Sequence, residues 1–231
     1  MIKISEKVSV IIPAYNEAKN IGRVLDVLKN IDWLDEIIVV DDASGDKTSE
    51  AANKYQVKVI KHTKNQGKGG AMATGIKAAK YDLLLFLDAD LIGLKEEHLL
   101  QILAPVVFLK KADLSLGVFS LDEFSGTNFA NRAFPSITGQ RAIRRKSLPD
   151  VDKIASKKYG VDLYITRYIA KSRRAVVKLK GLTQVIKEKK NDDIVAGLKS
   201  RFKMYKEILK LISDDSKEKR KFKKSNKILA R

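Results

Sequence analysis

Asp88 and Asp90 stand one residue apart at the end of an unbroken apolar run, Leu83-Leu84-Leu85-Phe86-Leu87. Two carboxylates at that spacing suit a hard divalent cation. Magnesium and manganese take oxygen ligands, and a magnesium site is commonly one or two carboxylates completed by water and substrate phosphates. On a strand, residues i and i+2 point to the same side, so the pair is expected to aim at one point. The structural alternative is that one Asp caps the next helix and the other is a solvated loop charge. A second candidate is Lys64-Asn65-Gln66-Gly67-Lys68-Gly69-Gly70, a glycine-rich basic loop expected to open a helix over Ala71 to Ala79. Glycines allow close approach of a ligand, and helix N-terminal N–H groups favour anions, so Lys68 is a candidate partner for a diphosphate. The Gly-Lys-Ser/Thr ending of a P-loop is missing, and a flexible surface turn is the alternative reading of the loop alone.

These groups need a frame. Val8-Ser9-Val10-Ile11-Ile12-Pro13 reads as a buried strand that Pro13 ends. Ile21, Val24, Leu25 and Leu28 recur at helical spacing, and Ile37 to Val40 form a second buried strand ending in Asp41-Asp42. Asp46 is a plausible N-cap for a short helix to about Tyr55, and Val57 to Ile60 is a third strand, nearer an edge because Lys58 interrupts it. The run at Leu83 is a further strand buried on both faces. Strands alternating with helices, each strand ending in polar residues, predict an α/β fold with a mostly parallel central sheet. In such sheets ligands bind at the carboxyl ends of the strands.

With 231 residues, 44% hydrophobic, the chain is expected to be one domain over residues 1–213, followed by a basic tail at 214–231. There is no cysteine, which excludes disulfides and thiolate metal sites. No apolar run reaches the length of a membrane span, and the expected location is cytoplasmic. The net charge is +18, and residues 217–231 supply +7 of it. Such a charge attracts phosphorylated substrates or acidic membrane surfaces, and peripheral membrane association through the tail is expected on that ground. For the tail alone, a solubilising role is the plainer reading. Nucleic acid is not the expected partner.

Four segments together carry a resemblance. They are Val-Ser-Val-Ile-Ile-Pro-Ala-Tyr-Asn-Glu from Val8, Ile-Ile-Val-Val-Asp-Asp-Ala-Ser-Gly-Asp-Lys-Thr from Ile37, Asn-Gln-Gly-Lys-Gly-Gly-Ala from Asn65 and Leu-Phe-Leu-Asp-Ala-Asp from Leu85. In order and spacing this resembles the nucleotide-binding half of a family 2 glycosyltransferase with the GT-A fold. The resemblance implies sugar transfer from a nucleoside-diphosphate sugar, UDP or GDP, with Mg2+ or Mn2+ as cofactor. It implies that Pro13 and Tyr15 border the base, Glu17 lies near the ribose and Asp42 accepts from the base. It further places Lys68 near the diphosphate, Asp88 on the ribose or a metal-bound water, and Asp90 on the metal. The metal would neutralise charge on the departing nucleoside diphosphate.

Residues 93–213 are expected to hold the acceptor. Ser120 to Phe134 lacks a clear period and reads as a binding loop or an insertion. Thr138-Gly139-Gln140-Arg141-Ala142-Ile143-Arg144-Arg145 resembles an acceptor-side motif of glucosyl-phosphoglycerate synthases and polyprenyl-phosphate sugar transferases. That likeness implies a phosphate-bearing acceptor, with Gly139 close to the sugar and Gln140, Arg141 and Arg144 among the binding residues. Arg141 offers a planar fork for an oxyanion, whereas Arg145 reads as a surface charge. Asp150 is expected to cap one helix, and Gly160 to start another that runs to about Lys171. In the family an acidic residue at that helix start includes the general base. Here only Asp162 survives, as a base, a sugar-orienting group or a helix-terminal charge. Gln184 stands where relatives place a metal-binding His, and His62 and His98 read as structural. Ile194, Leu198, Phe202, Tyr205, Ile208 and Leu209 predict a C-terminal amphipathic helix packing on the domain or on a second subunit of a homodimer. Two other functions fit part of the pattern. A nucleotidyltransferase shares the fold class but lacks its Gly-rich Lys/Arg start here. A catalytically weak protein binding anionic surfaces would fit the charge.

Overall fold

The structure is a computed structural model, and it describes residues 4–120 and 137–185. The expected loop after Ser120, the C-terminal helix, the basic tail and the domain boundary at 213 lie outside the described residues.

Seven strands form one sheet in the order β3-β2-β1-β4-β7-β6-β8. They are β1 (Val8–Ala14), β2 (Glu36–Asp41), β3 (Lys58–Lys61), β4 (Leu83–Phe86), β6 (Leu114–Phe119), β7 (Arg141–Arg144) and β8 (Arg174–Leu179). Only β7 runs against the others: it pairs antiparallel with β4 and with β6, and the remaining pairs are parallel. A two-stranded antiparallel pair joins β5 (Leu91–Ile92) to β9 (Thr183–Gln184). The helices are α1 (Ile21–Leu28), α2 (Thr48–Ala52), α3 (Gly67–Ala78), α4 (Glu96–Val107), α5 (Val151–Ala155) and α6 (Val161–Tyr168). The sheet is mostly parallel and flanked by helices, as its alternating pattern predicts.

The unbroken apolar runs follow from burial on both faces. Val8, Val10, Ile12, Leu83, Leu85 and Leu87 pack with Leu25 of α1 and Leu99 of α4. Ile11, Leu84 and Phe86 face the other way, onto Met72 and Ile76 of α3. Each strand therefore serves two cores, and alternation of polarity is lost. β3 lies at the edge, as the interrupting Lys58 predicts. Ser115 on β6 is fully buried and its hydroxyl has no hydrogen-bond partner.

Several boundaries differ from the sequence reading. β1 continues through Pro13, which pairs with Val40. Pairing with β4 stops at Ile11, and Leu87 N–H closes that side on Ile11 O. The absent N–H of Pro13 thus points to the side where no strand waits. α3 starts at Gly67, four residues earlier than expected, so Lys68 lies in its first turn. α2 stops at Ala52, and the Asp46 carboxylate receives Thr48 N–H from just outside it. α6 ends at Tyr168. Asp150 caps α5 as predicted, accepting from Asp152 and Lys153 N–H. Arg145 is not a surface charge. Its guanidinium donates to Ile76 O, Ala79 O and Tyr81 O, satisfying carbonyls at the end of α3.

Ala43 holds φ +60 in the turn after β2. A non-glycine residue there clashes with the following carbonyl. Ala43→Gly is expected to raise stability by about 1 kcal/mol, read as a higher urea midpoint at unchanged m-value.

Candidate active site

The carboxyl ends of β1, β2 and β4 meet where the strand order reverses, between β1 and β4. Open α/β sheets leave a ligand crevice at that point. Tyr15, 47% exposed, follows β1 directly. The next residue, Asn16, zips the β1 and β2 loops together: its N–H donates to Ser44 Oγ (2.9 Å), and its Oδ1 accepts from Gly45 N–H (2.9 Å). Glu17 is buried. Its N–H donates to Thr48 Oγ1 (2.8 Å), and its carboxylate accepts from Asn20 Nδ2 (2.8 Å). Pro13 near the end of β1 and Tyr15 and Glu17 in the loop after it stand at the crevice, with Tyr15 the exposed member.

Asp42 has a different task from the one the resemblance implied. Its buried carboxylate accepts from Gln66 N–H (2.8 Å) and Gly67 N–H (2.7 Å), so it caps the start of α3. His62 Nδ1 lies 2.7 Å from the same carboxylate, and His62 Nε2 lies 2.9 Å from Thr74 Oγ1. With three partners inside the protein, Asp42 anchors the start of α3. Asp41 is likewise engaged by Ser44 N–H and Ser49 Oγ. Burial works to raise its pKa, but those hydrogen bonds and the charge of Lys61 hold it below the ordinary value.

Capping by Asp42 sets the place of Lys68. Its ammonium lies 2.9 Å from Asp88 Oδ1 and 2.8 Å from Asp162 Oδ2, and its side chain is 23% exposed. Burial acts to lower the Lys68 pKa; the two carboxylates outweigh it and hold the group above the ordinary lysine value. Lys68 is thus a cation throughout the neutral range. Asp88 Oδ2 accepts from Gln140 Nε2 (2.7 Å). Gly139 fits directly against this carboxylate, since a Cβ there would come within 2.2 Å of Asp88 Oδ1. The closeness of Asp88 requires glycine at 139.

Asp88 and Asp90 do not lie on a strand, because β4 ends at Phe86. Asp90 is buried in the turn that follows, and its main-chain carbonyl accepts from Val185 N–H. Leu91 pairs with Gln184, which brings Gln184 beside the carboxylate pair. Among the described residues, no three His, Cys, Asp or Glu side chains gather around one point to hold a metal. The donor set instead fits a cation shared with a ligand. Asp88 and Asp90 offer carboxylate oxygens, the ligand type a hard divalent cation takes. Phosphate oxygens and water would complete such a site.

On the acceptor side, Arg141 is fully buried and cannot touch a substrate from outside. Its Nη1 donates to Asp162 O (3.0 Å), its Nη2 donates to Thr138 O, and Nη2 lies 2.9 Å from Asp162 Oδ1. Burial pushes the Arg141 pKa down against the pull of Asp162 and Asp88. Gln140 is equally buried. Arg144 is corrected outright. It pairs with Leu83 at the opposite end of β7 from the site, and both of its terminal nitrogens contact Glu6. Three residues apart on β7, Arg141 and Arg144 also point to opposite faces of the sheet. The structure thus gathers Lys68, Asp88, Gly139, Gln140, Arg141 and Asp162 in one linked group. It leaves Arg144 out.

A family model for glycosyl transferase family 2 matches residues 9–158. The chain belongs to this family. Among relatives, an undecaprenyl-phosphate mannosyltransferase of Micrococcus luteus is 30% identical over 202 residues, covering 75% of this chain and 82% of that protein. A dolichol-phosphate mannosyltransferase of Pyrococcus furiosus is 45% identical over 93 residues, 37% of this chain and 26% of that one. An uncharacterised protein of Methanocaldococcus jannaschii is 39% identical over 124 residues, and the matched stretch spans about half of it (49%). In fold, glucosyl-3-phosphoglycerate synthase from Mycobacterium tuberculosis, solved with Mn2+, UDP and glucosyl-3-phosphoglycerate, superposes with a TM-score of 0.63 at 22% identity, over 85% of this chain and 80% of that one. The family 2 match takes in Lys68, Asp88, Gly139, Gln140 and Arg141 of the linked group and stops short of Asp162.

His62 was read as structural and Gln140 as acceptor-binding, and the structure gives each a partner near the site. His62 stands beside Asp42 through folding of β3 onto β2, with no motif to mark it. Gln140 was read as facing the acceptor, yet it serves Asp88. His98 is structural as read: Lys95 N–H donates to its Nδ1 and its Nε2 meets Lys180 O at 2.8 Å.

Proposed function

We propose that this family 2 glycosyltransferase moves a hexose from a UDP- or GDP-sugar to a phosphate-bearing acceptor, with Mg2+ or Mn2+ bound at Asp90 and Asp88. The observation that carries the reading is the placement of Lys68 against Asp88 at the switch point of the sheet. There a fixed ammonium meets the charge of a departing diphosphate. Preorganised cations at developing charge are usually the largest single contribution to catalysis. The cation, when bound, would act as a Lewis acid on the same phosphates. Tyr15 offers a ring to the base, and Glu17 lies in the loop next to it.

The M. luteus and P. furiosus relatives are named for lipid-phosphate acceptors, and the M. tuberculosis structure holds a phosphorylated acid. This supports a polyprenyl phosphate or a small phosphorylated acid as acceptor. In a polyprenyl phosphate the attacking oxygen belongs to the phosphate, is already an anion at neutral pH and needs no base. That agrees with an Asp162 whose oxygens face Lys68 and Arg141. Among the described residues no helix is long and apolar enough to cross a membrane. A lipid acceptor would be met at the membrane surface, with the basic C-terminal residues on the anionic leaflet.

Calorimetric titration with UDP and GDP tests the reading. Binding of one diphosphate in the presence of Mn2+ is expected, weakened at least about tenfold by metal chelation or by Asp90→Ala. Tight binding indifferent to both would overturn the metal assignment, and no binding of either would overturn the donor assignment.

A further inference from the structure

Lys68, Asp88, Asp162 and Arg141 come from four separate elements: the first turn of α3, the segment after β4, the first turn of α6 and the start of β7. Two cations and two carboxylates balance to zero. Asp162 is the hinge of this arrangement. Its Oδ2 takes Lys68 at 2.8 Å and its Oδ1 faces Arg141 at 2.9 Å. Its main-chain carbonyl accepts from Arg141 Nη1 at 3.0 Å and from Thr166 Oγ1 at 2.8 Å. The side chain is 7% exposed. An acceptor hydroxyl approaching either oxygen would first have to displace a cation. A general base needs its proton donor within hydrogen-bond reach, and here both carboxylate oxygens already face positive charge.

We propose that Asp162, anchored by the buried Arg141, is a positioning residue of the donor site: it holds the Lys68 ammonium at the mouth of the crevice as a counter-charge that the diphosphate of the donor must outcompete. The proposal rests on the nucleoside-diphosphate reading of the donor. Its logic is electrostatic. With Asp88 and Asp162 both in place, Lys68 is fixed in geometry but half-neutralised. The donor's diphosphate carries two negative charges against one on Asp162; its cation offsets them overall, but the phosphate oxygens turned to Lys68 present charge at shorter range than the cation and take over the ammonium. Acceptor-side residues thereby set donor affinity, although neither touches the donor.

The consequence has a definite sign. Asp162→Asn keeps the shape and the contact to Lys68 but removes one negative charge near the incoming diphosphate. Calorimetric titration of the full chain with UDP and GDP plus Mn2+ is expected to show binding about tenfold tighter than wild type, the scale of one partly screened charge. A loss of scaffolding alone would weaken binding. The same substitution in a Lys68→Met background is expected to change the dissociation constant less than about twofold, because the effect passes through Lys68. Unchanged or weaker binding by Asp162→Asn overturns the proposal, as does an equal gain in the Lys68→Met background. Wild-type protein that binds neither diphosphate overturns the donor reading and the proposal together, so the two failures are told apart. If Asp162→Asn does not fold, a second measurement on the wild type decides. The 15N ammonium signal of Lys68, assigned by its loss in Lys68→Met, is expected to shift on adding UDP or GDP with Mg2+. A signal that stays in place at saturating nucleotide overturns the proposal.

Discussion

Lys68→Met is expected to lower kcat/KM for the sugar donor by about a thousandfold, the scale found when one preorganised group at a developing charge is removed. The ammonium sits 2.9 Å from Asp88 and 2.8 Å from Asp162, so its position is set by two partners on different elements. Methionine keeps the length of the stem and loses the charge. The diphosphate then departs against Asp88 and the cation alone. Stability falls as well, because two carboxylates lose a shared partner. Breaking a buried pair costs about 3–5 kcal/mol, and here the cost is expected near or below the lower end, since Lys68 is partly exposed and Arg141 still faces Asp162. The check is paired: steady-state kinetics beside urea unfolding of the same sample. Lys68→Arg is expected to recover only part of the rate, because a planar fork does not fill the place of a compact ammonium between two carboxylates. Full activity in folded Lys68→Met would sink the role assigned to this residue.

Gly139→Ala is expected to cost about a hundredfold in kcat with little loss of stability. The added methyl would lie 2.2 Å from Asp88 Oδ1 and 2.3 Å from Oδ2. One of the two must move. The end of a side chain yields more cheaply than the backbone leading into β7, so Asp88 swings away from Lys68 and Gln140. A displacement of about 1 Å in a positioning group is enough for a loss of that size. The damage is thus predicted at the site and not in the fold. A double-mutant cycle with Asp88→Ala separates the two: if Gly139→Ala acts by moving Asp88, it adds little once that carboxylate is gone. Additive losses would show that the methyl does its harm elsewhere.

The glycines show how a residue can be read correctly for the wrong reason. Gly67 and Gly69 look from the sequence like a phosphate cradle. In the structure Gly67 holds φ +81, and a Cβ on Gly69 would come 2.6 Å from Ile154 O. These positions are glycine because the segment from Ile154 to Lys158 packs onto the start of α3. Asp42 already takes the N–H groups of Gln66 and Gly67, so the charge this turn would offer to the diphosphate of the proposed donor is the Lys68 ammonium.

By itself the sequence determined the layers of the fold. Runs such as Val8 to Ile12 and Leu83 to Leu87 are apolar at every or nearly every position, which requires two covered faces, and the polar residues that close each run mark the carboxyl ends of the strands. Periodicity is a local property, so it can be read locally. The candidate site was legible to the same extent: Tyr15, Glu17, Lys68, Asp88 and Asp90 each follow a strand or open a helix, and all lie within the stretch that the family 2 model matches. What only the tertiary structure decided was pairing. Lys68 reaches Asp162 across 94 positions of sequence, Gln140 reaches Asp88 across 52, and Arg144 is carried to Glu6 at the far end of the sheet. Hydrogen bonds and ion pairs act over about 3 Å, and no local pattern states which distant segment will come that close. Strand order settles it: β7 inserts antiparallel between β4 and β6, which brings Gln140 and Arg141 to the carboxylates and takes Arg144 away.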